Sequence, residues 1–191
     1  MIKPAARTVA LVILAATVVQ LVVGAVSAAE RFEGKGFGAR LVGYPLMMLL
    51  VPTVWAVVAR ARHRTSPIPW AAAALVMAPF LVDVTGNSLD LYDQVVWWDD
   101  ANHFGNWVLL CLGAGLLLER ADVRPPWLLG LTVAGLGALL AIGWELGEWY
   151  TFIRHGTELD TAYEDTLGDE ALGTLGGTLA GLLLAWRARR R

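Results

Sequence analysis

The stretch WLLGLTVAGLGALLAIGWELGEW, residues 127–149, decides how the rest of the chain is read. No charge falls between Trp127 and Trp144, and that run approaches the roughly 20 residues a helix needs to cross the hydrocarbon core of a bilayer. Working outward, five more blocks have the same character. Two are Thr8–Ala28 and Leu41–Ala59; a third begins near Ile68, a fourth ends at Leu118 and the last ends near Trp186. Residues are 57% hydrophobic and mean hydropathy is +0.55, a surplus concentrated in these blocks. The pattern predicts an all-α, polytopic membrane helix bundle of about six transmembrane helices. Connections are short and no linker or repeat divides the chain, so residues 1–191 are expected to form a single transmembrane domain. The first block has a second reading. Lys3 and Arg7 give it a basic start, and Val26-Ser27-Ala28 resembles a signal-peptide cleavage site. On either reading the second block enters from the outside.

Charge sets the orientation. With the N-terminus cytoplasmic, inside segments carry Lys3, Arg7, Arg60, Arg62, Arg64, Arg120, Arg124, Arg187, Arg189, Arg190 and Arg191; outside segments carry only Arg31, Lys35, Arg40 and Arg154. Cytoplasmic loops are the ones enriched in Lys and Arg, so both termini are expected inside. His63 sits among the inside arginines and reads as a solvated surface residue. The acids go the other way. Only Glu119 and Asp122 fall inside; Glu30, Glu33, Glu158 and Asp160 read as solvated outer charges, and Asp90 and Asp93 as loop residues.

Other outer acids are not ordinary loop charges. The charge-free part of the third helix, Trp70–Val82, has 13 residues; that of the fourth, Phe104–Leu118, has 15; that of the sixth, Ala171–Trp186, has 16. Each falls short of a crossing by one or two turns, and Pro67, Pro69, Glu119, Arg120 and Arg187 fix the inner ends. Extending outward recruits Asp83 and Asn87, then Asp99, Asp100, Asn102 and His103, then Asp165, Asp169 and Glu170. The fifth helix already contains Glu145 and Glu148. Spacings of three and four place Asp83 with Asn87, Asp99 and Asp100 with His103, Glu145 with Glu148, and Asp165 with Asp169 on shared helix faces. Ionisable groups at that depth are costly and face a partner in the protein interior. Asp99, Asp100 and Asp165 also fit helix N-caps. Trp97, Trp98, Trp107, Trp144 and Trp149 fit the aromatic belt of the outer interface or a platform for a headgroup or sugar. Gly113, Gly115, Gly135, Gly137, Gly143, Gly173, Gly176, Gly177 and Gly181 suit close helix packing.

The lone Cys111 excludes an intrachain disulfide and a cysteine-built metal site, and reads as a small buried apolar side chain. No nucleotide-binding loop or Gly-x-Ser-x-Gly elbow is present, and no nucleic-acid partner is expected. Carboxylates with a histidine suit Mg2+, Mn2+ or Zn2+. Metal-ligand candidates are Asp100, His103, Glu145, Asp165 and Asp169, with Glu145 or His103 as general base; Asp83, Asn87, Asn102 and Glu148 are further binding candidates.

The strings Trp97-Trp98-Asp99-Asp100-Ala101-Asn102-His103-Phe104, Trp144-Glu145-Leu146-Gly147-Glu148-Trp149 and Asp165-Thr166-Leu167-Gly168-Asp169 resemble the uncharacterised bacterial inner-membrane family typified by YjdF. More distantly they resemble VanZ-like proteins, named for a role in glycopeptide resistance. The match spans about residues 80–180. Asp100 and His103 fit an Asp-x-x-His-Phe helix start, Glu145 the acid ending the next helix, and Asp165 and Asp169 the following loop-to-helix motif. Ala101 and Asp169 depart from it, where the family often has Lys and VanZ-like proteins have Asn. The resemblance implies a multi-pass protein of the bacterial cytoplasmic membrane and no particular activity.

Three classes of function fit. A non-catalytic envelope protein would bind a membrane lipid headgroup, a cell-wall precursor or a partner protein. A metal-dependent membrane enzyme would act on a lipid-linked or phosphorylated substrate. A proton- or cation-coupled transporter ranks third, because the inner halves of the helices are almost wholly apolar.

Overall fold

A backbone in hydrocarbon must satisfy its own polar groups, and an apolar chain does so by coiling into helices. The computed structural model describes residues 4–63, 65–151, 153–155 and 162–190, and among them all regular structure is helical. Lys3, Arg64 and Arg191 of the charge-bias argument, and Glu158 and Asp160, lie outside the described residues. Eight α-helices follow in order: α1 Pro4–Val26, α2 Phe37–Met48, α3 Leu50–Ala61, α4 Trp70–Ser88, α5 Leu91–Gln94, α6 Trp98–Arg120, α7 Pro126–Thr151 and α8 Ala162–Arg189. Six stretches are long and apolar enough to span a membrane. These are Ala5–Val26, Phe37–Ala61 (α2 with α3), Trp70–Ser88, Trp98–Arg120, Pro126–Thr151 and Ala162–Arg189. Large side chains such as Val12, Val19, Leu46, Leu139 and Leu182 are exposed, as lipid-facing residues must be.

The outward extensions are present: α4 carries Asp83 and Asn87, α6 begins before Asp99, and α8 runs through Asp165 and Asp169. The capping reading of the acids is corrected. With α6 starting at Trp98 and α8 at Ala162, Asp99, Asp100 and Asp165 stand inside the first turn, where they complement the helix dipole.

The helices gather into two compact units, Met1–Trp98 and Asp99–Arg191. In the first, α1 packs on α4 and α2. Ala10, Thr17, Leu21 and Gly24 form its buried stripe, and a side chain at Gly24 would collide with the Phe37 ring. Gln20 Nε2 donates to Thr85 Oγ1 at 3.1 Å across the α1–α4 contact. The loop after α1 turns through Gly34 and Gly36, both at positive φ, and delivers Lys35 to Asp90 and Asp93 at the α4–α5 corner.

In the second unit, α8 lies along α7 through small residues. A Cβ at Gly137 would sit 2.8 Å from Gly177 Cα and 2.9 Å from Cys111 Sγ, and one at Gly181 would strike the Gly130 carbonyl. The core is Trp107, Cys111, Leu129, Val133, Ala141, Ala180 and Leu184. Two tight-packing assignments fail: nothing lies within 4 Å of a Cβ at Gly135 or Gly143. Trp107 also departs from the aromatic-belt reading, because its indole is buried against Gly173, and Trp144 packs on the same core. Trp97 and Trp149 are exposed.

Two outcomes follow. Gly181→Ala forces α8 off α7 and is expected to cost about 1–3 kcal/mol, read as a lower Tm in detergent; Gly135→Ala, with open space around it, leaves Tm unchanged or slightly higher. Hydrogen bonds from Lys35, then Gln94, hold the Asp90 carboxyl down at about 2 from its ordinary 3.8. Burial works against the Lys35 charge, but its two aspartate partners outweigh it and raise its pKa. Because Asp90 is depressed on folding, the clamp's contribution is present above about pH 4 and disappears as pH falls toward 2. Between pH 5 and 2, Tm is therefore expected to fall more steeply for the wild type than for Lys35→Met.

Candidate functional site

The site grows from one histidine in the second turn of α6. Asp99 lies four residues before His103, so both point from one helix face, and His103 Nε2 is 3.6 Å from Asp99 Oδ1. From α8, Asp169 brings Oδ2 to 3.5 Å from the same Nε2. On the other side of the ring, His103 Nδ1 is 3.9 Å from Glu145 Oε1 of α7. Glu148 stands three residues beyond Glu145. Two overlapping groups share the imidazole, Asp99–His103–Asp169 and His103–Glu145–Glu148, and within each the ligand-type atoms lie within 4.8 Å of one another.

Glycines make this approach possible. Gly173 follows Asp169 by one helical turn, and a Cβ there would lie 2.8 Å from Ala141 Cβ and from Trp107 Cδ1. A Cβ at Gly176 would lie 2.6 Å from the carbonyl of Phe104, the residue after His103. The three backbones therefore close just beside the cluster, and short aspartate side chains can reach the imidazole.

The cluster is graded from inside to outside. Glu145 and Asp169 are 5% and 4% exposed, whereas the Asp99 side chain is 38% exposed. The Thr166 side chain hydrogen-bonds the Glu145 carboxylate. Arg154 is the one Lys or Arg between Arg124 and Arg187, and its guanidinium lies 3.6 Å from the centroid of the Tyr150 ring. The opposite ends of these helices carry a different pairing, Arg187 Nη2 donating to Glu119 Oε2 at 2.6 Å.

Of the metal-ligand candidates, His103, Glu145 and Asp169 come together, and Asp99 and Glu148 join them. Asp100 and Asp165 are exposed and stand outside both groups. Asp99 had a signal in the sequence, its spacing of four from His103; Asp100, three away, matched the family motif instead. Asn102 is buried and accepts from Asn106 Nδ2 at 2.5 Å.

Asp83 and Asn87 belong to the first unit and have their own network. Tyr44 Oη donates to Asp83 Oδ2 at 2.5 Å and Tyr92 Oη to Oδ1 at 2.9 Å. Asn87 Nδ2 lies 3.2 Å from Oδ1, and Arg40 Nη1 is 3.8 Å from Oδ2. This carboxylate is held by phenols, an amide and a guanidinium, an arrangement suited to joining α2, α4 and the α5 corner.

Apolar helices long enough to span a bilayer, with a histidine and acids buried among three of them, define a polytopic membrane protein with an internal polar centre. The chain matches the model of a predicted membrane protein family, DUF2238, over residues 8–191, and it belongs to that family. No curated protein and no solved structure matches it.

Tyr44→Phe and Tyr92→Phe are each expected to cost about 0.6–2 kcal/mol, the range for hydrogen bonds between membrane helices. Unfolding of the detergent-solubilised variants measures this, and an unchanged Tm in both would show that the network contributes nothing to holding α2 and α4 together.

Proposed function

We propose that the His103 cluster holds a divalent cation, and that through it the protein binds the anionic headgroup of an amphiphile at the outer face of the membrane. The amphiphile would be a membrane lipid or a lipid-linked cell-wall precursor. The observation that carries this reading is His103 set among carboxylates from three helices, with Glu145 and Asp169 almost wholly withdrawn from solvent. An ion so withdrawn costs several kcal/mol unless it is compensated, and acids this close repel one another. A bound cation offsets both terms. It also reverses the sign of the site, which otherwise repels a phosphate, and it accepts a phosphoryl oxygen as a Lewis acid. Imidazole with carboxylates suits Mn2+ or Zn2+, and carboxylates alone Mg2+.

The excess of Lys and Arg at the opposite helix ends supports cytoplasmic termini and an outward-facing cluster. The YjdF-like strings support the cytoplasmic membrane of a bacterium as its location. A metal-dependent enzyme acting on a phosphorylated or lipid-linked substrate is the second reading, with Glu145 or His103 as general base. The rim position of Asp99 favours it, since a substrate oxygen could approach an ion from that side. Transport is the reading least supported: within this unit, the helix interiors beyond the cluster are filled by Trp107, Cys111, Val133, Ala141, Ala180 and Leu184, and among its described residues the buried polar side chains are Asn102, Glu145 and Asp169, all at the cluster end.

Saturating Mn2+ or Zn2+ is expected to raise the Tm of the detergent-purified full-length chain. At a free ion concentration 100-fold above Kd the gain corresponds to about 2.7 kcal/mol. Chelator reverses it, and His103→Ala or Asp169→Asn abolishes it. A wild-type Tm indifferent to both ion and chelator overturns the cation reading.

A further inference from the structure

The two groups that share His103 are not equivalent, and their difference says where an ion sits. Resting on the cation reading above, we infer that a transition-metal ion is seated on the Nε2 side of His103, ligated by Asp99 and Asp169, while Glu145 is a positioning residue that accepts a hydrogen bond from Nδ1–H when the ion is bound.

Four observations carry this. An ion about 2.0–2.2 Å from each of its ligand atoms places tetrahedral neighbours about 3.3–3.6 Å apart. The Nε2 separations of 3.6 Å to Asp99 and 3.5 Å to Asp169 match that edge, whereas Nδ1 and Glu145 are 3.9 Å apart. Second, Asp169 is a carboxylate only 4% exposed, and its Oδ2 lies 3.5 Å from Nε2. A buried acceptor of that kind requires a positive partner. Third, an ion needs a way in, and Asp99, with its side chain 38% exposed, contacts Nε2 directly, whereas the carboxylate beside Nδ1, Glu145, is buried. Fourth, a histidine that binds a metal through one nitrogen donates the other N–H to an orienting group, most often a carboxylate or carbonyl. Glu145 is the carboxylate nearest Nδ1, at 3.9 Å, beyond hydrogen-bond range in this structure, so that bond would form as an ion seats the ring; Glu145 is itself held by Thr166.

Two aspartates and one imidazole make a three-ligand set with a further position open toward Asp99. The imidazole selects a first-row transition ion over Ca2+ or Mg2+. Glu145 fixes the ring and increases its basicity without touching the ion.

Co2+ added to the purified full-length protein provides the test, because its visible absorption reports the ligand set. Glu145→Gln keeps an acceptor for Nδ1–H, and is expected to bind Co2+ about 10- to 100-fold more weakly with an unchanged band position. Asp99→Asn replaces a ligand and shifts the band, and Asp169→Asn abolishes it. A shifted band in Glu145→Gln together with an unchanged one in Asp99→Asn would move the ion to the Nδ1 side and overturn the assignment. Absence of any Co2+ band in the wild type would overturn the cation reading itself. Circular dichroism of each variant without metal confirms that a lost band is not a lost fold.

Discussion

The second unit depends on how closely three helices can approach. Hydrocarbon supplies no hydrophobic drive between helices, so packing of backbone on backbone has to hold them. Gly137 against Gly177, and Gly181 against the Gly130 carbonyl, bring α8 onto α7; Gly176 against the Phe104 carbonyl brings it onto α6. Each contact leaves no room for a Cβ. The same closeness sets the polar chemistry, because Asp169 has a short side chain and reaches an imidazole only where the backbones nearly touch. Packing and site are one construction, with the glycines on α8 serving both.

Asp83, partly buried, and Asp169, buried, show two ways of accommodating charge. Asp83 is surrounded by donors: two phenols, an amide and a guanidinium. Such a carboxylate is satisfied by protein alone, and its partners stitch separate helices together. Asp169 shares its surroundings with other acids and one imidazole. A carboxylate ringed by donors is a structural joint; one placed among other acids carries mutual repulsion that packing alone does not offset. This contrast, more than the number of acids, separates the two clusters.

Much of the fold was legible because bilayer thickness is unforgiving. Runs of 13, 15 and 16 uncharged residues are too short, so the polar residues beyond them had to become helical, and α4, α6 and α8 include them. The choice between Asp99 and Asp100 was not legible, because spacings of four and three from His103 are both helical neighbours. It is decided by the rotation of α6 that buries Trp107 under Gly173. That rotation also explains why Trp107 is not an interface aromatic. Tyr44, 39 residues from Asp83, carried no local sign of its partner. The open surroundings of Gly135 and Gly143 were equally hidden, since composition does not reveal which face of α7 meets α8.

The second crossing is interrupted. Leu49 separates α2 from α3, and Pro52, having no N–H, leaves the Met48 carbonyl without its usual helical donor. At about 1.5 Å per residue, the 25 residues from Phe37 to Ala61 would form a rod about 37 Å long, against a hydrocarbon layer of about 30 Å. A gap in the helical hydrogen-bond ladder is where such a rod bends most cheaply, whereas an unbroken one has to lean. The break at Leu49 lies beyond Tyr44, so the whole Tyr44–Asp83 contact sits on the α2 side of it.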